Sequence, residues 1–166
     1  MTGTPTTKAD RPARTYRTGP ATRVLRWVAV LAMVAVTAWL LTVYPTLPET
    51  VVTHFGPGGE ADDWGPKWSL LVVAGVMLLL SLPLAAISAH PRAFNYPVEI
   101  TEGNAQTMYR EGERLMVWTL LFLQVIYLGI CWSVVLGGGG PLLVIGIAGL
   151  VGASILAIVR MVRAAR

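Results

Sequence analysis

The sequence predicts an all-α integral membrane protein with four transmembrane helices, both termini cytoplasmic and an ordered extracytoplasmic loop between helices one and two. Three observations carry that reading. Hydrophobic residues fill 54% of the 166 positions and charged residues only 13%, with a mean hydropathy of +0.60, whereas soluble domains are about a quarter charged. Four apolar runs, 24–44, 68–88, 115–136 and 141–159, each have the roughly 20 residues a helix needs to cross about 30 Å of hydrocarbon. Twelve of the thirteen Lys and Arg residues fall on one side of the membrane when all four runs cross it.

Residues 1–23 are rich in Thr, Pro, Gly and Arg and lack apolar periodicity, which predicts a disordered basic tail. Lys8, Arg11, Arg14, Arg17, Arg23 and Arg26 hold that tail on the cytoplasmic side, against anionic headgroups. No small-x-small cleavage site follows Val43, so the first run is read as an uncleaved helix rather than a signal peptide.

The stretch 45–67 is the long polar segment between two apolar runs, and it organises the chain. It holds four of the nine acidic residues and a single basic one, Lys67, which places it outside. Gly65 and Pro66 are read as the start of the second helix, since Pro suits a first helical position, with Asp62 and Asp63 ahead of its positive end. Pro45, Pro48, Phe55 and Trp64 are expected to fold the loop into a compact lid, with Gly56-Pro57-Gly58-Gly59 as a turn that follows no strand. Trp39, Tyr44, Trp68 and Trp132 would ring the outer interface, and Trp27 and Trp118 the inner one.

Pro83 interrupts the second run and is expected to kink it. In the cytoplasmic loop, 89–114, Thr101 is read as a helix cap with Glu102 in the first turn. Ala105, Met108, Tyr109, Gly112, Leu115 and Met116 then recur at helical spacing beside a polar row of Gln106, Arg110 and Arg114, predicting an amphipathic helix that runs into the third span. Cys131 is a small packing group in that span, and Gln124 and Thr119 are polar links between helices. The fourth run carries Gly146, Gly149, Gly152, Ala153 and Ala157, small residues that let another helix approach. Residues 163–166 form a short basic cytoplasmic end.

No run contains Asp, Glu, Lys, Arg or His away from its ends, which argues against proton relays, ion-coupled transporters and voltage sensors. His54, Glu60, Asp62 and Asp63 match neither zinc nor calcium ligand spacing, so no metal site is expected. His54 and His90 would lie on opposite sides of the membrane, which leaves no Ser-His-Asp or Cys-His arrangement. Neither a cofactor nor an enzymatic reaction is expected. The basic excess reads as topology rather than nucleic-acid binding, the lipid bilayer is the expected partner, and the oligomeric state stays open.

Leu47-Pro48, His54-Phe55-Gly56, Gly59, Asp62, Trp64-Gly65 and Lys67, between two membrane runs, resemble the domain of unknown function at the start of SdpI-type bacterial membrane proteins. Tyr96-Pro97-Val98, Ile100-Thr101, Asn104, Tyr109-Arg110 and Arg114 resemble the segment that follows it, so the likeness spans about residues 40 to 118. It implies a bacterial inner-membrane protein related to toxin-immunity proteins, which bind a secreted peptide outside and recruit a repressor inside. By that likeness His54, Phe55, Gly59, Asp62, Trp64 and Lys67 would meet an extracytoplasmic peptide, and Tyr96, Asn104, Tyr109, Arg110 and Arg114 a cytoplasmic regulator. The leading expectation is an immunity-like or sensing protein. The alternative is an accessory subunit of a membrane transporter or envelope complex. The charge bias yields a first test: a periplasm-active reporter fused at residue 60 should be active and one fused at residue 166 inactive, and the reverse pattern would overturn the topology.

Overall fold

A backbone in hydrocarbon has no water to bond, so apolar runs close their hydrogen bonds internally as helices. The computed structural model describes residues 8–56 and 60–165 and contains α1 (Pro20–Val43), β1 (Thr50–Phe55), β2 (Ala61–Pro66), α2 (Ser69–Ile87), α3 (Ala105–Val135) and α4 (Gly140–Ala164). All four helices are long and apolar enough to cross a membrane, and the chain is a multi-pass membrane protein. Most of their apolar surface faces outward, including Leu31, Leu79, Val144 and Ile155, and needs lipid around it. α3 has 31 residues, about 46 Å at 1.5 Å per residue, so its first turns stand clear of the hydrocarbon.

The all-α expectation is corrected by a two-stranded antiparallel sheet, β1 against β2. Thr50-Val51-Val52-Thr53 is β-branched throughout and suits a strand. Val51 is buried in a cluster with Leu40, Leu70 and Cys131, which seats the hairpin on the helix ends. Gly65 lies opposite Val51 in the register, and a methyl group there would overlap the Thr53 side chain. Gly65 and Pro66 therefore finish a strand instead of opening a helix, with Pro66 at the strand end where its missing N–H costs no ladder bond. Gly56 follows a strand, and its N–H donates to the Glu60 carbonyl at 2.8 Å. Pro57, Gly58 and Gly59, where the turn was expected, lie outside the described residues.

At the opposite end of the bundle the described part of the expected disordered tail is ordered; residues 1–7 lie outside the described residues. Residues 8–19 lie as a strap along the segment between α2 and α3, bonded to Arg92, Ala93 and Phe94 there, and along the first turns of α3, bonded to Gln106 and Tyr109. Tail carbonyls and guanidiniums meet loop groups there, partners that composition alone does not show. The α3 cap also differs: Asn104, not Thr101, precedes the helix, and its amide accepts from the Thr101 N–H and donates to the Glu99 carbonyl, both at 2.9 Å.

Two polar links cross the apolar interior: Gln124 donates to Ser81 at 2.9 Å, and Thr37 and Tyr127 share a bond of 3.2 Å. α2 continues through Pro83. The turn from α3 to α4 is made by Gly137 and Gly138, whose φ of 76° and 73° glycine adopts without strain. α4 packs chiefly on α3, and Gly146 and Gly149 face Ile126 and Phe122 so closely that a methyl at either would overlap them. Replacing Gly149 by Leu should lower stability by about 1–3 kcal/mol, read as a lower thermal midpoint in detergent; an unchanged midpoint would contradict this packing.

Candidate functional site

The chemistry-bearing side chains collect at the two ends of the bundle. On the hairpin, His54 Nδ1 and Asp62 Oδ1 are 2.7 Å apart, with both side chains largely exposed. A bulge in the ladder on either side of His54 brings the two residues together although Asp63, not Asp62, is the register partner. Trp64 is 56% exposed, and its N–H donates to the Asp63 carboxylate at 2.8 Å. Phe55 is half-buried opposite Ala61. Lys67 turns away from these residues toward the foot of the hairpin, where its ammonium meets Glu49 at 2.9 Å, the Leu47 carbonyl at 3.4 Å and the Tyr44 ring at 5.3 Å from its centroid. His54, Asp62 and Trp64 thus form an exposed polar-aromatic face, whereas Lys67 fastens the loop. Among the described residues, no three His, Cys, Asp or Glu side chains converge as a metal cluster.

The other end is built on Glu113, whose side chain is 2% exposed. Its Oε1 accepts from Arg26 at 2.7 Å and Thr18 at 2.7 Å, and its Oε2 from Tyr16 at 2.9 Å and Arg14 at 3.2 Å. All four lone-pair sites are filled. The residue lies before the apolar stretch that begins at Leu115, outside the membrane-crossing part of α3. Burial by itself pushes the carboxyl upward, but the bonds from Thr18, Arg26 and Tyr16 and the charge of Arg14 outweigh it and hold Glu113 below its usual range. Tyr16 moves the other way: burial first, then its bond to Glu113, keeps the phenol protonated far above the ordinary range. A carboxylate with every acceptor site engaged is held in its ionised form, and its bonds tie the strap to α1 and α3.

The side chains expected to meet a regulator are divided by this arrangement. Tyr109 is fully buried and donates to the Pro12 carbonyl at 3.0 Å. Tyr96 lies over Gly112, donates to the Pro91 carbonyl at 2.9 Å and stacks obliquely with Tyr109. Asn104 is spent on its own loop. Arg110 and Arg114 stay exposed, the first over the Tyr16 ring and the second 2.6 Å from Glu111. The strap therefore occupies the face from which Tyr96 and Tyr109 were expected to reach a partner.

Glu113 was missed because its partners lie 87 to 99 residues earlier in the chain. One local signal existed. Position 113 is one turn after Tyr109 on the apolar face of α3, and a carboxylate placed there must find buried partners.

The fold is a polytopic membrane domain in which a β-hairpin joins the first two of four helices. Residues 28–78, most of α1, the whole hairpin and the first half of α2, match the family described as a domain of unknown function, DUF1648. The match begins ahead of residue 40 and stops before the Tyr96 to Arg114 segment. An uncharacterized protein of Archaeoglobus fulgidus is 33% identical over 96 residues, 52% of this chain and 50% of the relative. The chain thus spans about half the length of the curated relative it matches. No solved structure matches.

The Glu113 centre carries its own test. Glu113→Gln leaves two guanidiniums without their counter-charge, at a cost on the order of 3 kcal/mol. Trypsin should then cut after Arg14 and Arg17 much faster than in the wild type, and equal cleavage rates would show that the centre does not hold the strap.

Proposed function

We propose that the protein is a multi-pass protein of a bacterial cytoplasmic membrane, with both termini inside and the hairpin outside, acting without catalysis as a sensing or immunity-like protein. Its extracytoplasmic ligand is a peptide or an envelope component. The observation that carries this reading is the exposed face of the hairpin: His54, Asp62 and Trp64 stand out from the bundle while Val51 and Lys67 anchor the loop beneath them. A two-stranded sheet also keeps one edge of each strand unpaired within the sheet, and an extended peptide can add there through its backbone. The charge asymmetry of the sequence and its resemblance to SdpI-type proteins support the same reading.

A regulator on the inner side would meet Arg110 and Arg114 first, and would reach Tyr96 and Tyr109 only after displacing the strap. The alternative, a subunit of a transporter or envelope complex, drew on the small residues of α4. Gly146 and Gly149 are engaged by α3, so that support is reduced to the outward face of the helix.

The test is a deletion strain challenged with secreted material from neighbouring bacteria, complemented with wild type, His54→Ala or Asp62→Ala. Wild type should restore survival or the transcriptional response, and either variant should lose at least about tenfold, the factor for roughly 1.4 kcal/mol, with membrane levels unchanged. Variants that behave as wild type would remove the hairpin from the function.

A further inference from the structure

Between α3 and α4 runs a groove of about 470 Å³ whose lining changes along its length. At the strap end Glu111 lies 2.6 Å from Arg114 and 3.6 Å from Arg160, and both arginine side chains are about half exposed, 51% and 52%. Below them the lining is apolar: Leu115, Trp118 and Leu156, then Phe122 against Gly149, with Gly152 alongside. Trp118 stacks on Phe122 with ring centroids 5.7 Å apart, forming one flat wall. Gly152 has open space where a side chain would be, so the groove is not filled by the chain's own packing.

We infer that this groove binds one anionic diacyl phospholipid, with its phosphate at Arg114 and Arg160 and an acyl chain along the Gly149–Gly152 face of α4. Charge complementarity selects this occupant. Each guanidinium has five N–H donors, and Glu111, with two oxygens, leaves most of them available while fixing the two heads side by side. Two cations against one carboxylate leave the mouth net positive beside an apolar channel, which suits a lipid carrying negative charge above hydrocarbon. The dimensions agree. From Arg114 to Phe122 the helix rises about 12 Å, close to the roughly 15 Å of a hydrocarbon half-layer. Trp118, one turn below Arg114, sits at the depth where an indole ring lies below the headgroups. A partner helix would need an apolar surface at the mouth, where the arginines are.

The inference does not rest on the sensing role, because the groove and the hairpin lie at different ends of the bundle. The test uses the full chain purified in mild detergent and offered equal amounts of phosphatidylglycerol and phosphatidylcholine, with bound lipid counted by native mass spectrometry. Wild type should retain a single phosphatidylglycerol in preference to phosphatidylcholine, by about fivefold for each arginine, the factor that corresponds to roughly 1 kcal/mol per basic residue. Arg160→Gln should reduce that preference about fivefold. Gly152→Leu, at a position where an added Cβ meets nothing within 4 Å, fills the groove and should reduce binding of both lipids, and it tests the site even if Arg160→Gln is poorly folded. Soluble glycerol phosphate should not displace the lipid. Equal retention of the two lipids by wild type, full retention by Gly152→Leu, displacement by glycerol phosphate, or a lipid-free dimer closed over the groove would each overturn the assignment.

Discussion

The Glu113 carboxylate is the constraint on which the strap end of the molecule depends. A charge buried this deeply is tolerated only when opposite charges and hydrogen bonds replace the water it has lost. Those replacements come from the strap, through Arg14, Tyr16 and Thr18, and from the first turns of α1, through Arg26. Arg26 also donates to the Ser88 carbonyl at the end of α2, and Arg14 to the Ala89 carbonyl just beyond it. One side chain thus ties four parts of the chain together. Three helices could slide in lipid against apolar neighbours with little penalty, since lipid is as apolar as their own interfaces. Four directed bonds on one carboxylate remove that freedom.

The hairpin end is fixed differently, by shape and burial. Val51 enters the helix cluster, Gly65 lets β2 lie close over Thr53, and the Lys67 N–H bonds the Glu49 carbonyl at 2.9 Å to close the loop at its base. His54, Asp62 and Trp64 take almost no part in this support. That separation leaves the three exposed side chains outside the contacts by which Lys67 fastens the loop.

What could be read from the sequence follows from the range over which each signal acts. Helices in lipid are written in consecutive residues, and the four spans agree with the observed helices to within a few positions; α3 extends upstream through the amphipathic stretch that its own periodicity marks. The Gly146 and Gly149 stripe likewise announced a close helix neighbour. The hairpin was misjudged because the proline and glycine at 65–66 fit a helix start as well as a strand end, and the pairing of Val52 with Trp64 is not local. The strap was misjudged for a similar reason: Arg, Thr and Pro look solvated until a buried carboxylate almost a hundred residues away is brought beside them. His54 and Asp62, eight residues apart, were singled out together by the likeness to SdpI-type proteins, but their direct bond depends on two irregularities in the ladder.

The lopsided packing of α4 bears on how the molecule is assembled. This helix is the least enclosed of the four and leans chiefly on α3, to which the Gly137–Gly138 turn joins it. α1, α2 and α3 already share their interior bonds without it, through Gln124 with Ser81 and Tyr127 with Thr37. The first three helices can therefore settle in the bilayer while the fourth is still being synthesised. α4 then folds back along the surface of α3, the helix it packs on most extensively.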